Sequence, residues 1–96
     1  MNPPGRALVD VRSLVMTCDA VPAQWEGRTV DGRYVYVRYR SGWLRIGLGD
    51  TLDAAVEAAM DRDNRDAWQL GDWLDGALDY ARLIDTTAGR FRWPAW

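Results

Sequence analysis

Histidine and lysine are both absent from this 96-residue chain, and all 12 of its basic residues are arginine. Lack of histidine removes the side chain that most often serves as general base, metal ligand or pH switch near neutrality. The single cysteine, Cys18, has no partner for an internal disulfide, which suits a reducing cytoplasm. It also has no His or Lys nearby in sequence to activate its thiol, so it reads as an inert small residue. No apolar run approaches the roughly 18 residues that a membrane span needs. The opening stretch MNPPGRALVDVRS has no basic segment followed by an apolar one, so no signal peptide is expected. These absences together predict a cytoplasmic protein without metal, cofactor or membrane partner.

What is present describes a soluble globular chain, with 48% hydrophobic and 27% charged residues. The length predicts one domain over 1–96, with a core thin enough that a homo-oligomer is an expected supplement. Arginine to the exclusion of lysine, with abundant Ala, Asp, Gly and Trp, reflects GC-rich coding. The net charge of −2 is unevenly spread. Arg28 to Gly49 carries five Arg and one Asp, whereas Asp50 to Asp79 carries nine acids and two Arg. An arginine-bearing sheet beside acidic helices accounts for that split. So does a dipolar molecule with an anion-binding face, or one that self-associates sheet to helix.

The patterning divides the chain into a frayed start (1–5), a β-rich part (7–49), a helical part (50–87) and a basic aromatic tail (88–96). Alternation from Ala7 to Thr17 predicts a strand with Ala7, Val9, Val11 and Val15 on one face. Pro22 holds Val21 extended at the end of the following loop. From Gln24 to Gly49 the sequence reads as three antiparallel strands. Asp31-Gly32 and Ser41-Gly42 supply the turns, each expected to be two residues long. That register places Trp25 opposite Arg38, Gly27 opposite Tyr36, Arg38 opposite Arg45, and Tyr36 opposite Gly47. Asp50 or Thr51 then caps a helix whose apolar stripe is Leu52, Ala55, Val56, Ala59 and Met60, ending around Asp61–Asn64. A second helical pattern runs through Leu70, Trp73, Leu74, Ala77, Leu78, Ala81 and Ile84, with a break near Asp75-Gly76, and stops at Thr86–Gly89. The tail RFRWPAW is an added strand or a docking arm. The expected fold class is α+β: a three- or four-stranded antiparallel meander with two helices packed on one face.

The two-residue turns sort the meander into faces. Val35, Val37, Tyr39, Leu44, Ile46 and Leu48 form the core face. Gln24, Glu26 and Arg28 share that side, which suits an edge or bulged first strand. The opposite face carries Trp25, Tyr34, Tyr36, Arg38, Arg40, Trp43 and Arg45, with Thr29 beside them. Arg38 and Arg45, directly opposite, repel each other unless something negative sits over them. Tyr36 between Gly27 and Gly47 offers a ring with no cross-strand neighbours. A flat group stacked there, with its phosphate on Arg38, Arg40 or Arg45, outlines a nucleotide or single-stranded nucleic-acid pocket. Two plainer roles fit the same residues: aromatic covering of glycines with ordinary cation–π contacts, or burial against another subunit, since Trp, Tyr and Arg dominate interface hot spots.

Other chemistry is weakly represented. Ser13 and Ser41 have no histidine to activate them. Asp72, Asp75 and Asp79 line one side of the second helical pattern, as carboxylates able to hold a cation or as a solvated acidic face. The run from Asp61 to Asp72 fails as a calcium loop, because Arg65 takes a ligand position and Asp66 replaces the turn glycine. Gly47-Leu48-Gly49-Asp50-Thr51 lies between a strand and a helix but lacks the lysine and third glycine of a phosphate loop.

The segment Cys18–Gly47 resembles a group of small uncharacterised proteins of high-GC actinobacteria and their phages. The likeness rests on Pro22, Gln24, Glu26, Gly27, Asp31, Gly32, Tyr34, Tyr36, Arg38, Gly42 and Trp43. It covers about a third of the chain, and Arg38-Tyr39-Arg40 departs from the group's pattern. The resemblance implies a phage or mobile-element origin and brings no functional residue with it. The expected function is a non-enzymatic binding protein. In that role it is an accessory factor that engages a host protein, or sequesters a nucleotide-type immune signal, through the Arg/aromatic face. The alternative is a single-stranded nucleic-acid-binding module, against which the acidic helices argue.

Overall fold

In the computed structural model, which describes residues 7–19, 22–71 and 78–95, the chain is α+β with a curled, mixed six-stranded sheet. The strands are β1 (Val9–Cys18), β2 (Ala23–Thr29), β3 (Tyr34–Arg40), β4 (Trp43–Gly49), β5 (Ala67–Gln69) and β6 (Phe91–Arg92). The helices are α1 (Leu52–Met60) and α2 (Tyr80–Thr87). The sheet order is β5-β4-β3-β2-β1-β6, antiparallel throughout except for the parallel pair β1–β6. The expected meander is therefore present but too small: β1 joins it, and β5 and β6 extend it at both ends. The tail is the added strand of the two options, too short to show in a residue pattern.

The second turn is as expected. Ser41 and Gly42 both have positive φ (56° and 80°), the signature of a two-residue type I′ hairpin. Arg40 pairs with Trp43 and Arg38 with Arg45. The first turn is one residue longer than expected. The loop is Val30-Asp31-Gly32, only Gly32 has positive φ (92°), and the pairing is Arg28 with Tyr34 and Trp25 with Val37. Asp31 escapes the left-handed conformation, which costs an L-residue about 1–2 kcal/mol. Its carboxylate instead accepts from the Thr29 hydroxyl and from Arg33 Nε, 3.2 Å away. The hydrogen bond from Thr29, and then Arg33, hold that carboxyl below its usual range.

This single extra residue inverts β2, because side chains alternate with period two. Ala23, Trp25 and Thr29 turn to the core and are buried, while Gln24, Glu26 and Arg28 pair across from Arg38, Tyr36 and Tyr34. Burying an indole removes roughly 150–250 Å² from water, worth on the order of 4–6 kcal/mol at about 25 cal/mol per Å². That outweighs any preference between turn types. A bulge between Val11 and Ser13 changes the facing of β1 in the same way. Val9, Val11 and Leu14 are buried, whereas Val15, expected to join them, is 64% exposed.

The helices lie on opposite faces rather than together. The main core joins Trp25, Val37, Tyr39, Leu44 and Ile46 of the sheet to Leu78, Leu83 and Phe91. Asp79 caps α2, its side chain accepting from the backbone N–H of Arg82. The helix thus starts later than the apolar pattern implied, and buries Leu83 and Thr87 instead of Ala81 and Ile84. Leu70, expected inside that helix, follows β5. The expected pattern residues Trp73, Leu74 and Ala77, the break near Asp75-Gly76, the carboxylates Asp72 and Asp75, Val21 before Pro22, and the frayed start at 1–5 all lie outside the described residues. Helix α1 begins at Thr51, whose hydroxyl accepts from the N–H of Ala54 at 3.1 Å. It lies on the other face, with Ala55 and Ala59 buried against Tyr36.

The two edges of the curled sheet meet. Asp66, just before β5, pairs with Arg90, just before β6, at 3.0 Å. Arg90 also donates to the carbonyl of Ala7 at 2.6 Å. Beside it, the Trp93 indole N–H donates to the Thr87 hydroxyl at 2.7 Å, fastening the tail to α2. Among the described residues, no helix is long and apolar enough to cross a membrane.

Candidate functional site

Strand β3 supplies Arg38 and Arg40, and β4 supplies Trp43 and Arg45, all projecting to the face that α1 partly covers. Beyond the last turn of α1 these four side chains, with Ser41 and Met60, enclose a cleft of about 310 Å³. The type I′ turn fixes its geometry by locking the register that sets Arg38 beside Arg45 and Arg40 beside Trp43.

Of the seven expected site residues, four meet in this cleft and three do not. Trp25 is fully buried in the opposite face, displaced by the longer first turn. Tyr34 is half-buried beneath the Arg28 guanidinium, 4.0 Å from its ring centre. Tyr36 does lie across from Gly47, but opposite Glu26 rather than Gly27. Helix α1 fills the space that a stacked ligand ring was expected to occupy. A Cβ on Gly47 would lie 1.9 Å from the carbonyl oxygen of Ala55. Tyr36 is only 6% exposed. Burial raises its phenol pKa, opposed by the Arg38 charge and reinforced by Glu26. Stacking on Tyr36 is thereby excluded.

Met60 and Ser41 were not among the expected site residues. Met60 belongs to the apolar stripe of α1, yet as the last residue of that helix it overhangs the sheet and is 46% exposed. An apolar residue at the end of a stripe, beyond the last glycine it covers, is the signal that marks it.

The electrostatics of the cleft are one-sided. Arg38, Arg40 and Arg45 line it without any Asp or Glu among the described residues. None of the three takes part in an ion pair among the described residues, whereas Arg33, Arg90 and Arg92 all do. Arg38 Nε is buried and has no hydrogen-bond partner. Its Nη1 reaches only the weak acceptor Met60 Sδ, at 3.5 Å. Arg45 stands 5.4 Å from the centre of the Trp43 ring, within cation–π range. Trp43 remains 37% exposed. The arrangement is a set of fork-shaped donors short of acceptors, next to open apolar surface.

Of the carboxylates Asp72, Asp75 and Asp79, only the last lies among the described residues. Asp79 serves as the cap of α2. Among the described residues no cluster of three or more potential metal ligands forms. Asn64 spends its amide on structure, donating to the carbonyls of Ile46 and Ala59, each at 3.1 Å. Compared with protein-family models, with curated proteins and with solved structures, the chain finds no match.

Proposed function

We propose that this chain is a binding protein whose ligand or partner presents an anionic group to the cleft of Arg38, Arg40, Arg45, Trp43 and Met60. One observation carries the reading: Arg38 and Arg45 are set directly opposite each other, with no carboxylate among the described lining residues. A folded protein gains nothing from such a pair alone, since like charges directly across a sheet destabilise it. An anion converts the same geometry into charge-assisted, fork-shaped recognition. The chain has no histidine, and among the described lining residues Ser41 is the one hydroxyl, with no carboxylate beside it, so binding fits the site better than turnover. The resemblance to small uncharacterised proteins of high-GC actinobacteria and their phages would, by analogy with phage accessory factors, make the occupant a host molecule, with sequestration as the purpose.

A single-stranded nucleic-acid module fits less well. Strand tracking uses several stacking aromatics along a basic groove, and of the described aromatics on this face Tyr34 and Tyr36 are covered while Trp43 stays open.

The test is a calorimetric titration with phosphate and pyrophosphate, on the wild-type chain and on an Arg38→Glu/Arg45→Glu double variant shown by circular dichroism to be folded. Saturable binding that the double variant loses is the expected result. Equal binding by both proteins would remove the cleft as the site.

A further inference from the structure

We propose that the ligand of the arginine cleft is a nucleoside monophosphate: one phosphate on Arg38 and Arg45, and one base against Trp43 and Met60. This rests on the anion-binding reading above and narrows it to a ligand class.

Size sets the first limit. A cleft of about 310 Å³ is at the lower end of the roughly 300–1,000 Å³ typical of small-molecule sites. It accommodates one nucleotide and leaves no room for a second. On the side of Tyr36 and Gly47 the neighbouring surface is closed by α1.

Charge sets the second. Three guanidiniums without a described carboxylate among the lining residues match a doubly charged phosphate better than a singly charged carboxylate. A phosphate monoester carries about −1.5 to −2 at pH 7, with its second pKa near 6. It also offers three acceptor oxygens, enough to engage the guanidiniums of both opposed arginines.

Composition sets the third. Trp43 and Met60 keep 37% and 46% of their surface exposed, although both border the charged cleft. An inorganic anion would make no use of that apolar rim. An aromatic base would, by stacking on the indole edge left open by Arg45 and by contact with the thioether. Besides the arginines, the polar groups of the described lining are the Ser41 hydroxyl and the Trp43 indole N–H. Base identity is therefore read weakly, and purines exceed pyrimidines through stacking area alone.

The experiment titrates the full-length chain with AMP, UMP, adenosine, ribose 5-phosphate, the dinucleotide pApA and pyrophosphate. Stacking of one base predicts AMP binding roughly ten- to a hundred-fold tighter than ribose 5-phosphate. AMP and UMP should agree within about ten-fold, and adenosine should bind poorly. Trp43→Ala, shown by circular dichroism to be folded, should bring AMP down to the level of ribose 5-phosphate while changing ribose 5-phosphate binding far less. AMP affinity should also rise between pH 5 and pH 7 as the phosphate loses its second proton, near pH 6. Ribose 5-phosphate or pyrophosphate binding as tightly as AMP would overturn the nucleotide inference and leave the anion site standing. So would pApA binding tighter than AMP. No binding by any of the phosphates would end both.

Discussion

Gly47 meets the carbonyl of Ala55 so closely that a Cβ at position 47 would sit 1.9 Å from that oxygen and 2.4 Å from the N–H nitrogen of Ala59. Both atoms are backbone, so neither can turn aside. Gly47→Ala must push α1 off the sheet, and overpacking of this kind costs about 1–3 kcal/mol or more. Gly89→Ala is the matched control, because nothing lies within 4 Å of its would-be Cβ. That change should stay within about 0.5 kcal/mol. Urea unfolding of both variants decides the matter: equal midpoints would mean that α1 is not seated on Gly47. Because α1 carries Met60, Gly47→Ala should also weaken ligand binding at the cleft.

Trp25 shows how one residue of loop length redirects a functional reading. On the sequence it stands opposite Arg38, on the candidate binding face. In the structure it is fully buried opposite Val37, and its indole N–H has no partner among the described residues. Trp25→Ala should therefore cost about 3–5 kcal/mol. Trp25→Phe removes the unpartnered donor, which itself costs about 1–3 kcal/mol when buried, so its net loss should be less than half that of alanine. Thermal melts give the comparison. A stably folded Trp25→Ala variant that has lost only its ligand would restore the original placement.

Much of the fold is legible in the residues, and the failures share a physical form. The Ser41-Gly42 turn, the β3–β4 register and the Thr51 cap all follow from local chemistry, and local chemistry decides them. The Asp31-Gly32 turn follows the same rule in sequence but is overridden by a distant term, the burial of Trp25 in the core. Val15 is lost to a bulge that no pattern of alternation marks. Strands β5 and β6, of three and two residues, are too short for alternation to repeat and so to be recognised. The cleft was half visible for the same reason. Arg38, Arg40, Trp43 and Arg45 depend on the local turn, whereas the exclusion of Tyr36 depends on where α1 comes to rest.

Asp66 and Arg90 join the two ends of the sheet, with side chains only 10% and 21% exposed. Removing one member of a well-buried pair costs about 3–5 kcal/mol, and the partial exposure of Arg90 places the Arg90→Gln loss at or somewhat below that range. A double-mutant cycle with Asp66→Asn should return a coupling of at least about 1 kcal/mol. The single substitutions should also loosen β6 selectively, seen as faster amide exchange at Val9, whose N–H donates to the carbonyl of Arg90 at 2.9 Å. A coupling near zero would show that the edges are held together by other contacts.

Arg45 offers the sharpest separation between a structural and a binding role. If its purpose is to stand over Trp43, then Arg45→Gln should lower stability, by roughly the 0.5–1 kcal/mol of an exposed cation–π contact. If it is held opposite Arg38 to meet an anion, relief of the like-charge pair should prevail. The ligand-free variant then gains roughly 0.2–1 kcal/mol. That gain should shrink as salt is raised from 0.1 to 1 M, because the screening length falls from about 10 to about 3 Å. Binding should disappear in the same variant. A chain that becomes more stable in low salt and loses its ligand has had a working charge removed. One that becomes less stable at every salt concentration has lost a packing contact, and the cleft would then have no claim to a ligand.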